Sequence, residues 1–267
     1  TVTRTLIYSL MIVGLTWLIG DVMFGLDGIL KDREMWMMLV FALIGIFFIN
    51  IMFATARLIG PRVFVKFLTG HYYNPRQERR ILMFLDMVGS TTIAEKIGDM
   101  RYYDLLTDVF ERLSYVVDDF GGEIHNYVGD ELIATWPVSE NNTADNARPV
   151  ECSVECFNMI AEHAEKLRAR HGIVPGFRVG IHLGVIVAGE LGGLKQAIVY
   201  LGDAMNTASR IERACRIEDK SILVSQALVD IAKLPPDIHV EPIGERQLKG
   251  RREPIHLHAV GFDEVKA

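Results

Sequence analysis

The amino-acid sequence predicts an α+β domain that follows a transmembrane helical hairpin. Three observations support this prediction: two long apolar runs open the chain, strand-like and helix-like segments alternate from residue 81 onward, and short turn signals join several neighbouring strands. The 267-residue chain has 28 basic and 34 acidic side chains, and few of them fall in the apolar residues 1–56. This composition excludes a disordered chain, and it excludes a nucleic-acid-binding protein that depends on bulk positive charge.

Residues 6–26 and 35–56 are the two predicted membrane-spanning helices. The second run contains no charged residue, and the first has Asp21 as its only charge. A helix of roughly 20 apolar residues crosses the ~30 Å hydrocarbon core of a bilayer. A charged stretch at residues 31–34 separates the two runs, which predicts a hairpin. Two helices buried in a soluble core are the alternative, and it is disfavoured because the second run is apolar all round.

Basic residues after the second run predict the side of the membrane on which the domain lies. They are Arg57, Arg62, Lys66, Arg76, Arg79 and Arg80, with Glu78 as the only acid in that stretch. By the positive-inside rule this side is cytoplasmic. We therefore expect a multi-pass protein of the plasma or inner membrane, in contact with lipid. Residues 57–80 would connect the spans to a cytosolic domain at 81–262.

The segments from residue 81 onward give the order of the predicted elements. The first half contains a buried strand at 81–86, a helix from about 91–92, a helix at 100–120, a hairpin of strands 123–128 and 131–136, and a long helix at 146–171. The second half contains strands at 177–183, 185–189 and 195–201, a helix from Asp203 to about 216, a strand at 222–224, a helix at 226–233 and a closing hairpin around 248–252. Gly129-Asp130 is a two-residue hairpin signal, and Asp203 is a candidate N-cap. Mixed strand and helix order with several hairpins predicts one sheet with helices packed on it.

Two aspartates stand where predicted strands end. Asp86 closes the strand at 81–86, and Asp130 lies at the tip of the first hairpin. Carboxylates on neighbouring strand ends can bind hard cations, with phosphate oxygens as the remaining ligands. The backbone N–H groups that open the helix after Asp86 suit a triphosphate. The alternative is that both aspartates only form turns, which is common for this residue type.

A third feature is the segment 202–210, Gly-Asp-Ala-Met-Asn-Thr-Ala-Ser-Arg. Asn206 and Arg210 are four residues apart and share one face of the predicted helix. An asparagine can position a sugar hydroxyl, and an arginine can neutralise charge that builds on a phosphoryl group. A solvated helix face is the alternative interpretation.

Together these features resemble the catalytic domain of the class III nucleotidyl cyclases, the adenylate/guanylate cyclase family, over residues 78–262. The segments that carry the resemblance are 84–91 (Phe-Leu-Asp-Met-Val-Gly-Ser-Thr), 127–131 (Tyr-Val-Gly-Asp-Glu), 178–184 (Arg-Val-Gly-Ile-His-Leu-Gly), 187–190 (Val-Ala-Gly-Glu), 202–210 and 248–250 (Leu-Lys-Gly). The resemblance implies a ferredoxin-like core that works as a head-to-tail homodimer, with active sites shared across the interface.

The resemblance also implies a role for individual residues. Asp86, Met87 and Asp130 are assigned to two Mg²⁺ or Mn²⁺ ions per active site, and Asn206 and Arg210 to stabilisation of the transition state from the partner subunit. The residues assigned to substrate binding are Gly89, Ser90, Thr91, Asn126, Val199 and Lys249. The implied reaction is attack of the 3′-hydroxyl of ATP on its own α-phosphate, which needs no protein nucleophile.

The purine-reading positions of this chain are unusual for the family. They hold Asn126 and Val199, and the valine cannot accept a hydrogen bond from an adenine amino group. His125, Lys195 and Gln196 are candidates for a substitute, and Asn126 can pair with either purine. ATP is favoured because most bacterial-looking members of the family use it, and GTP is left open. The sequence thus predicts a membrane-anchored adenylate cyclase, with a guanylate cyclase or a catalytically silent signalling module as alternatives.

Overall fold

The computed structural model describes residues 33–70, 72–194, 196–251 and 253–261. The predicted first span at 6–26, and with it the hairpin, lies outside the described residues. The chain divides into two compact units, Thr1–Thr69 and Gly70–Ala267, and each is described by itself.

The N-terminal unit consists, in its described part, of helices α1 (Arg33–Ile59) and α2 (Pro61–Leu68). Within α1, the stretch Trp36–Ala56 is long and apolar enough to cross a membrane, and it is the one such helix among the described residues. Most of its large apolar side chains are exposed. Gly60 has a φ of +85° and interrupts the helix, and proline is tolerated in the first turn of α2 because that turn needs no backbone donor there.

The second unit contains the remaining elements in mixed order. They are β1 (Arg76–Met87), α3 (Ser90–Ile97), α4 (Asp99–Asp119), β2 (Glu123–Val128), β3 (Glu131–Pro137), α5 (Arg148–Glu162), α6 (Ala164–His171), β4 (Phe177–Leu191), β5 (Ala197–Leu201), α7 (Asp203–Glu218), β6 (Ile222–Ser225), α8 (Gln226–Val229), β7 (His239–Arg246) and β8 (Ile255–Gly261). The predicted α+β class is therefore confirmed.

One sheet of eight strands organises this unit. Its order is β2-β3-β1-β4-β6-β8-β7, and β5 pairs with β4 outside that path. The central strand β1 is antiparallel to both β3 and β4, whereas β4 and β6 are parallel. Side chains alternate along β1: Ile81, Met83 and Leu85 face the larger core, and Leu82 and Phe84 face the smaller one.

The two faces of the sheet are covered by different helices. Side chains of α3 to α6 and of α8 complete the larger core, and α7 covers the smaller core on the opposite face. At Gly180 a β-carbon would lie 2.2 Å from the backbone nitrogen of Glu212, and at Gly184 it would lie 2.4 Å from the Ala204 β-carbon. The backbone of α7 therefore lies directly on β4, because these two glycines leave no side chain between them.

Several predicted boundaries differ from the structure. The helix predicted at 146–171 is interrupted at His163, so that α5 and α6 are separate helices. The two strands predicted around Gly184 form the single strand β4. Asp203 is wrong as an N-cap: Gly202, with a φ of +145°, takes that position and no side chain caps the helix. Glycine adopts this φ without the strain that a side chain would bring.

Candidate active site

Asp86 and Asp130 meet at one end of the central strands. Asp86 lies near the end of β1, where its residue pairs with Glu131 at the start of β3. Asp130 is in the two-residue turn between β2 and β3, and Gly129 before it has a φ of +64°. Because β1 and β3 are hydrogen-bonded neighbours, the turn comes to the end of β1. The two aspartate side chains are close enough for the charge of Asp130 to act on Asp86.

The electrostatic environment of this pair is strongly acidic. Burial and the charge of Asp130 raise the pKa of Asp86 to about 6, although the N–H of Met87 and the charge of Arg178 act in the opposite direction. Burial and the charge of Asp86 likewise raise the pKa of Glu131 to about 7. The same two causes, in the same order, raise the pKa of Glu212 to about 7. The carboxylates thus hold more negative charge than their surroundings compensate.

This donor set fits a hard divalent cation. A carboxylate whose ionisation is opposed by burial and by a neighbouring carboxylate, as at Asp86, is stabilised when a cation binds beside it. Among the residues that the structure describes, no group of three or more His, Cys, Asp or Glu side chains forms a complete metal site. Asp86 and Asp130 would therefore share a cation with oxygen ligands from outside the protein. The Met87 side chain is buried in the larger core, so only its backbone is available near the pair.

The turn after β1 leads into the N-terminus of α3. Gly89 takes the N-cap position with a φ of +69°, and Ser90 and Thr91 are the first residues of the helix. The N–H of Val88 donates to the carbonyl of Gly176 at 2.9 Å, which fixes the turn to the residue before β4. The N–H groups of a first helical turn have no partner within the helix and face outward, a favourable place for phosphate oxygens. The structure therefore places Gly89, Ser90 and Thr91 next to the aspartate pair in the chain and in space.

Asn206 and Arg210 lie on the side of α7 that faces away from the sheet. The buried stripe of the helix contains Ala204, Thr207, Ala208, Ile211, Glu212, Ala214 and Cys215. Asn206 is exposed and Arg210 is half-buried. A β-carbon at Gly250 would lie 3.4 Å from an Nη atom of Arg210, so the turn at 248–250 reaches this arginine. Lys249, between Leu248 and Gly250, is exposed beside it.

One arginine holds that turn to α7. Arg251 Nη1 donates a hydrogen bond to Thr207 Oγ1 at 2.9 Å and lies 3.9 Å from Asp203 Oδ2. Leu248 anchors the other end of the turn in a small core with Ile211 and other residues of α7, β6 and β8. The phosphate-binding candidate Lys249 and the pair Asn206 and Arg210 are thus brought together.

The two sets of residues lie on different sides of α7. Arg210 and Glu212 are two positions apart, so they project to nearly opposite sides of the helix. Glu212 interacts electrostatically with Asp86, whereas Arg210 lies against the turn at 248–250. Each chain therefore presents a carboxylate half-site and a separate half-site that contains Asn206, Arg210 and Lys249.

The purine-reading candidates lie where β2 approaches β5. Asn126 is exposed, and its Oδ1 accepts a hydrogen bond from the N–H of Tyr127 at 2.9 Å. Val199 is half-buried and pairs with Gly189. The rings of His125 and Tyr200, the neighbours of these two residues, are stacked with centroids 4.2 Å apart and planes 9° apart. Of the other candidates, Gln196 is exposed before β5 and Lys195 lies outside the described residues.

The buried Arg80 packs against the Tyr200 ring of this stacked pair. Arg80 is 1% exposed and donates to Glu123 Oε2 at 2.5 Å, Thr135 Oγ1 at 2.9 Å and Glu78 Oε2 at 3.1 Å. Its guanidinium lies 5.3 Å from the centre of the Tyr200 ring. A buried charge is tolerated only when it is paired in this way. Arg80 Nε is nevertheless a buried donor without a hydrogen-bond partner in the described structure.

A comparison with protein families identifies the domain. The sequence-family model of the adenylate and guanylate cyclase catalytic domain matches residues 72–260. The chain belongs to this family. The resemblance seen in the sequence is thereby confirmed for the whole cyclase domain.

Curated relatives of this cyclase domain include proteins of both substrate types. Adenylate cyclase 2 of Rhizobium meliloti (strain 1021) is 36% identical over 198 residues, which cover 74% of this chain and 54% of that protein. The adenylate cyclase of Anabaena cylindrica is 24% identical over 68% of this chain and 36% of its own length. Human guanylyl cyclase C is 28% identical over 77% of this chain and 19% of its own length. The chain thus spans about half, or less, of the relatives it matches.

Solved structures share the fold of the cyclase domain. The adenylyl cyclase CyaB from P. aeruginosa has a TM-score of 0.60 at 23% identity, covering 73% of this chain and 99% of that chain. A bacterial light-regulated adenylyl cyclase has a TM-score of 0.72 at 17% identity, covering 86% of this chain and 66% of that one. Identities this low show the fold alone, and they confirm the predicted class III cyclase architecture.

Sequence reasoning about this cyclase domain missed three charged residues near the site. Glu131 follows Asp130 directly, and Glu212 occupies the buried stripe of α7, where an acidic side chain is unusual. That position in an otherwise apolar helical stripe is a signal that could have identified Glu212. Arg178 pairs with Asp86 across β1 and β4, and this proximity depends on a strand register that the sequence does not specify.

Proposed function

We propose that the protein is a membrane-anchored adenylate cyclase that converts ATP into 3′,5′-cyclic AMP and pyrophosphate. The observation that carries the proposal is the electrostatically coupled pair Asp86 and Asp130, at one end of the sheet of a class III cyclase domain. The identity of 36% to a protein named adenylate cyclase 2 supports ATP as the substrate.

Asp86 and Asp130 would hold the metal ions, Mg²⁺ or Mn²⁺, with up to two per active site. When bound, such ions make the 3′-hydroxyl of the substrate easier to deprotonate and offset the charge of its phosphates. The negative charge around the two aspartates supports this assignment, because a bound cation would offset it. Glu131 and Glu212 add to that negative field.

The remaining residues of the chain would bind and orient ATP. The first turn of α3, with Gly89, Ser90 and Thr91, would receive phosphate oxygens at its free N–H groups. On the other half-site, Lys249 would bind the phosphates and Asn206 would orient the ribose. Arg210 would offset the charge that develops while the 3′-oxygen bonds to the α-phosphorus and pyrophosphate leaves.

A homodimer would complete each active site. The carboxylate half-site and the half-site on the outer side of α7 have different neighbours in one chain. In a head-to-tail pair, the aspartates of one copy would face Asn206, Arg210 and Lys249 of the other. Helix α1 would anchor each copy in the lipid bilayer, with the cyclase domain on the cytoplasmic side. The multi-pass arrangement would require residues 6–26 as a second span.

Complementation between inactive variants tests the shared site. The full-length Asp86→Ala and Arg210→Ala proteins are each expected to lose cyclic AMP formation with Mn²⁺. Mixed together, they form one competent site per heterodimer, and activity should return to about a quarter of the wild-type level if the copies assort randomly. Asp119→Ala and Arg216→Ala, which change exposed residues of α4 and α7, are the matched controls and should stay active.

The same assay with GTP decides the substrate. Higher turnover of GTP than of ATP by the wild-type chain would replace the proposal by a guanylate cyclase. Binding of nucleotide without any product would indicate a catalytically silent module. If both variants were folded and dimeric and their mixture stayed inactive, the shared-site arrangement would be wrong.

A further inference from the structure

Helix α2 has an apolar side and a basic side. Four apolar residues share one side of this eight-residue helix by their spacing: Val63, Phe64, Phe67 and Leu68. The basic residues Arg62 and Lys66 are four positions apart and share the other side. On the apolar side, Phe67 is 43% and Leu68 63% exposed. A helix this short is marginal in water by itself, so it needs a surface on which its apolar side can pack.

Helix α2 begins directly beyond the candidate membrane-spanning stretch of α1. That stretch ends at Ala56, α1 ends at Ile59, and α2 begins at Pro61. Three helical and two extended residues cover at most about 12 Å, so α2 begins in or beside the headgroup layer of any bilayer that α1 crosses. Gly60 between the helices has a φ of +85° and a ψ of +136°, which is not helical. Helix α2 is therefore a separate element and not an extension of the span.

The charge of the sequence around α2 suits an anionic surface. No acidic residue occurs in the sequence between Glu34 and Glu78, whereas Arg57, Arg62 and Lys66 all fall in this interval. Basic residues next to a membrane span are attracted to the anionic lipids of the cytoplasmic leaflet. Two copies of α2 packed together would instead bring charges of the same sign near each other, with no acid of this interval to offset them. An anionic lipid surface therefore fits α2 better than a second copy does.

We propose that α2 lies in the headgroup layer of the cytoplasmic leaflet, with its apolar side toward the acyl chains and its basic side on the phosphates of anionic lipids. Amphipathic helices with aromatic and aliphatic residues on one side and lysine or arginine on the other bind membranes in this way. The inference rests on the membrane anchoring in the proposed function, because α1 must first bring α2 to the bilayer. It assigns a lipid-binding surface to the segment that joins the span to the cyclase domain.

Spin labels on introduced cysteines test the position of α2. The native cysteines Cys152, Cys156 and Cys215 are buried, so a surface cysteine is the preferred site of labelling. Full-length Leu68→Cys and Lys66→Cys proteins carry a nitroxide in nanodiscs of phosphatidylcholine and phosphatidylglycerol in equal amounts. The measured quantity is the accessibility of the label to oxygen, which concentrates in lipid, divided by its accessibility to a water-soluble nickel chelate. This ratio should be at least about fivefold higher at position 68 than at position 66.

Two further labels make the result specific. Phe67→Cys repeats the measurement on the apolar side of α2, and its ratio should agree with that of Leu68→Cys within about twofold. Phe47→Cys replaces an exposed residue near the middle of the membrane-spanning stretch of α1. Its label reports the span itself, so its ratio should be the highest of the four.

The lipid composition tests the role of charge. Nanodiscs of phosphatidylcholine alone should lower the ratio at position 68 at least about twofold, because the anionic headgroups are gone. Lys66→Gln combined with Leu68→Cys should give a loss in the same direction in the mixed lipid. Lys166→Gln, which changes an exposed lysine of α6, is the matched control and should leave the ratio at position 68 unchanged.

Several results would overturn the inference. Greater access of the nickel chelate than of oxygen at positions 66 and 68 alike would place α2 in water. Low access of both reagents at position 68 would mean that protein covers the apolar side, and dipolar broadening between the labels would identify that protein as a second copy. A label at position 47 outside the lipid would refute the membrane anchoring, and the inference with it. Cyclic AMP formation by the wild-type chain is measured independently, so failure of the cyclase activity is distinguished from all of these results.

Discussion

The carboxylate half-site and the outer side of α7 differ in charge and in burial. Around Asp86, several acidic groups are partly buried, and Arg178 offsets only part of their negative charge. Around Arg210, basic and amide groups are half-buried or exposed next to the turn that carries Lys249, with Asp203 as an acidic neighbour of Arg251. A metal-bound polyphosphate carries positive charge for the first region and negative charge for the second. The comparison teaches that the two half-sites are complementary in charge, as the proposed substrate requires.

The largest expected effect is the loss of activity on substitution of Asp86. At this residue activity and stability should change in opposite directions. We expect Asp86→Asn to lower cyclic AMP formation on the order of a thousandfold, because a metal ligand is lost. The same substitution removes a repelled charge, so without metal the variant should be more stable at pH 8, on the order of 1 kcal/mol after allowance for solvent screening. Activity assays with Mn²⁺ and thermal unfolding in EDTA measure the two effects.

Asp119→Asn is the control for that experiment. It changes an exposed carboxylate at the end of α4 and should alter neither quantity. A lower unfolding temperature for Asp86→Asn in EDTA, relative to wild type, would contradict the account of charge repulsion at this site.

A second prediction concerns the pH dependence of stability without metal. The pKa values of Asp86, Glu131 and Glu212 are raised to about 6, 7 and 7. A raised pKa means that the folded state holds the proton more tightly than the unfolded one. This stabilisation is complete below the unfolded values near 4 and is lost as the pH rises through 6 and 7.

We therefore expect these three carboxyl groups to lower the free energy of unfolding in EDTA by about 1–3 kcal/mol between pH 5 and pH 8, with allowance for partial exposure. The partly buried His125 and the buried His182, whose pKa values are lowered to about 4, act in the opposite direction over the same range, so the carboxyl contribution is measured as the difference between denaturant titrations in EDTA and in Mn²⁺ at each pH. Asp108 and Glu218 have lowered pKa values, so their contributions change below pH 5 and do not interfere. Millimolar Mn²⁺ should remove most of the fall, and a fall of the same size with Mn²⁺ would argue against a cation at the aspartates.

The smallest effect is expected on the other half-site, at Arg251. Arg251→Met removes the hydrogen bond to Thr207 that holds the turn at 248–250 on α7. With Lys249 less well placed, KM for ATP should rise about three- to tenfold with little change in kcat, since one charged hydrogen bond is involved. Steady-state kinetics, which give kcat and KM separately, measure this difference.

Thr207→Val provides the matched comparison, because it removes the other partner of the same hydrogen bond. The double variant should be no worse than Arg251→Met alone, as residues in contact are not additive. Additive losses would mean that the arginine acts by some route other than this hydrogen bond.

Local signals were sufficient for much of the fold. Gly129-Asp130 predicted the hairpin of β2 and β3 because the turn is encoded by two adjacent residues. That Asn206 and Arg210 share one face of α7 followed from helical spacing alone. The interruption at His163 was missed because the apolar periodicity of 146–171 continues across it, and β4 was divided because Gly184 looked like a turn when it is a site of close contact with α7.

The parts of the site that were missed depend on distant residues. Arg80 is paired with Glu123, 43 positions away, and no local pattern places an arginine inside a sheet core. The proximity of Asp86 to Arg178 and Glu212 needs the register of β1 on β4 and the seating of α7. The shift of register in β2 between Ile124 and Asn126 is likewise visible only once the pairing of β2 with β3 is known.

The bare backbone contact at Gly180 has a mechanical consequence for regulation. Since α7 touches β4 with no side chain between them, and β4 is hydrogen-bonded along β1, no soft layer separates Arg210 from Asp86 within one copy. We therefore expect the two half-sites of a chain to move together. In the proposed dimer, the distance that can vary is the one between copies, so a signal arriving through residues 57–80 would control turnover by shifting one whole domain against the other.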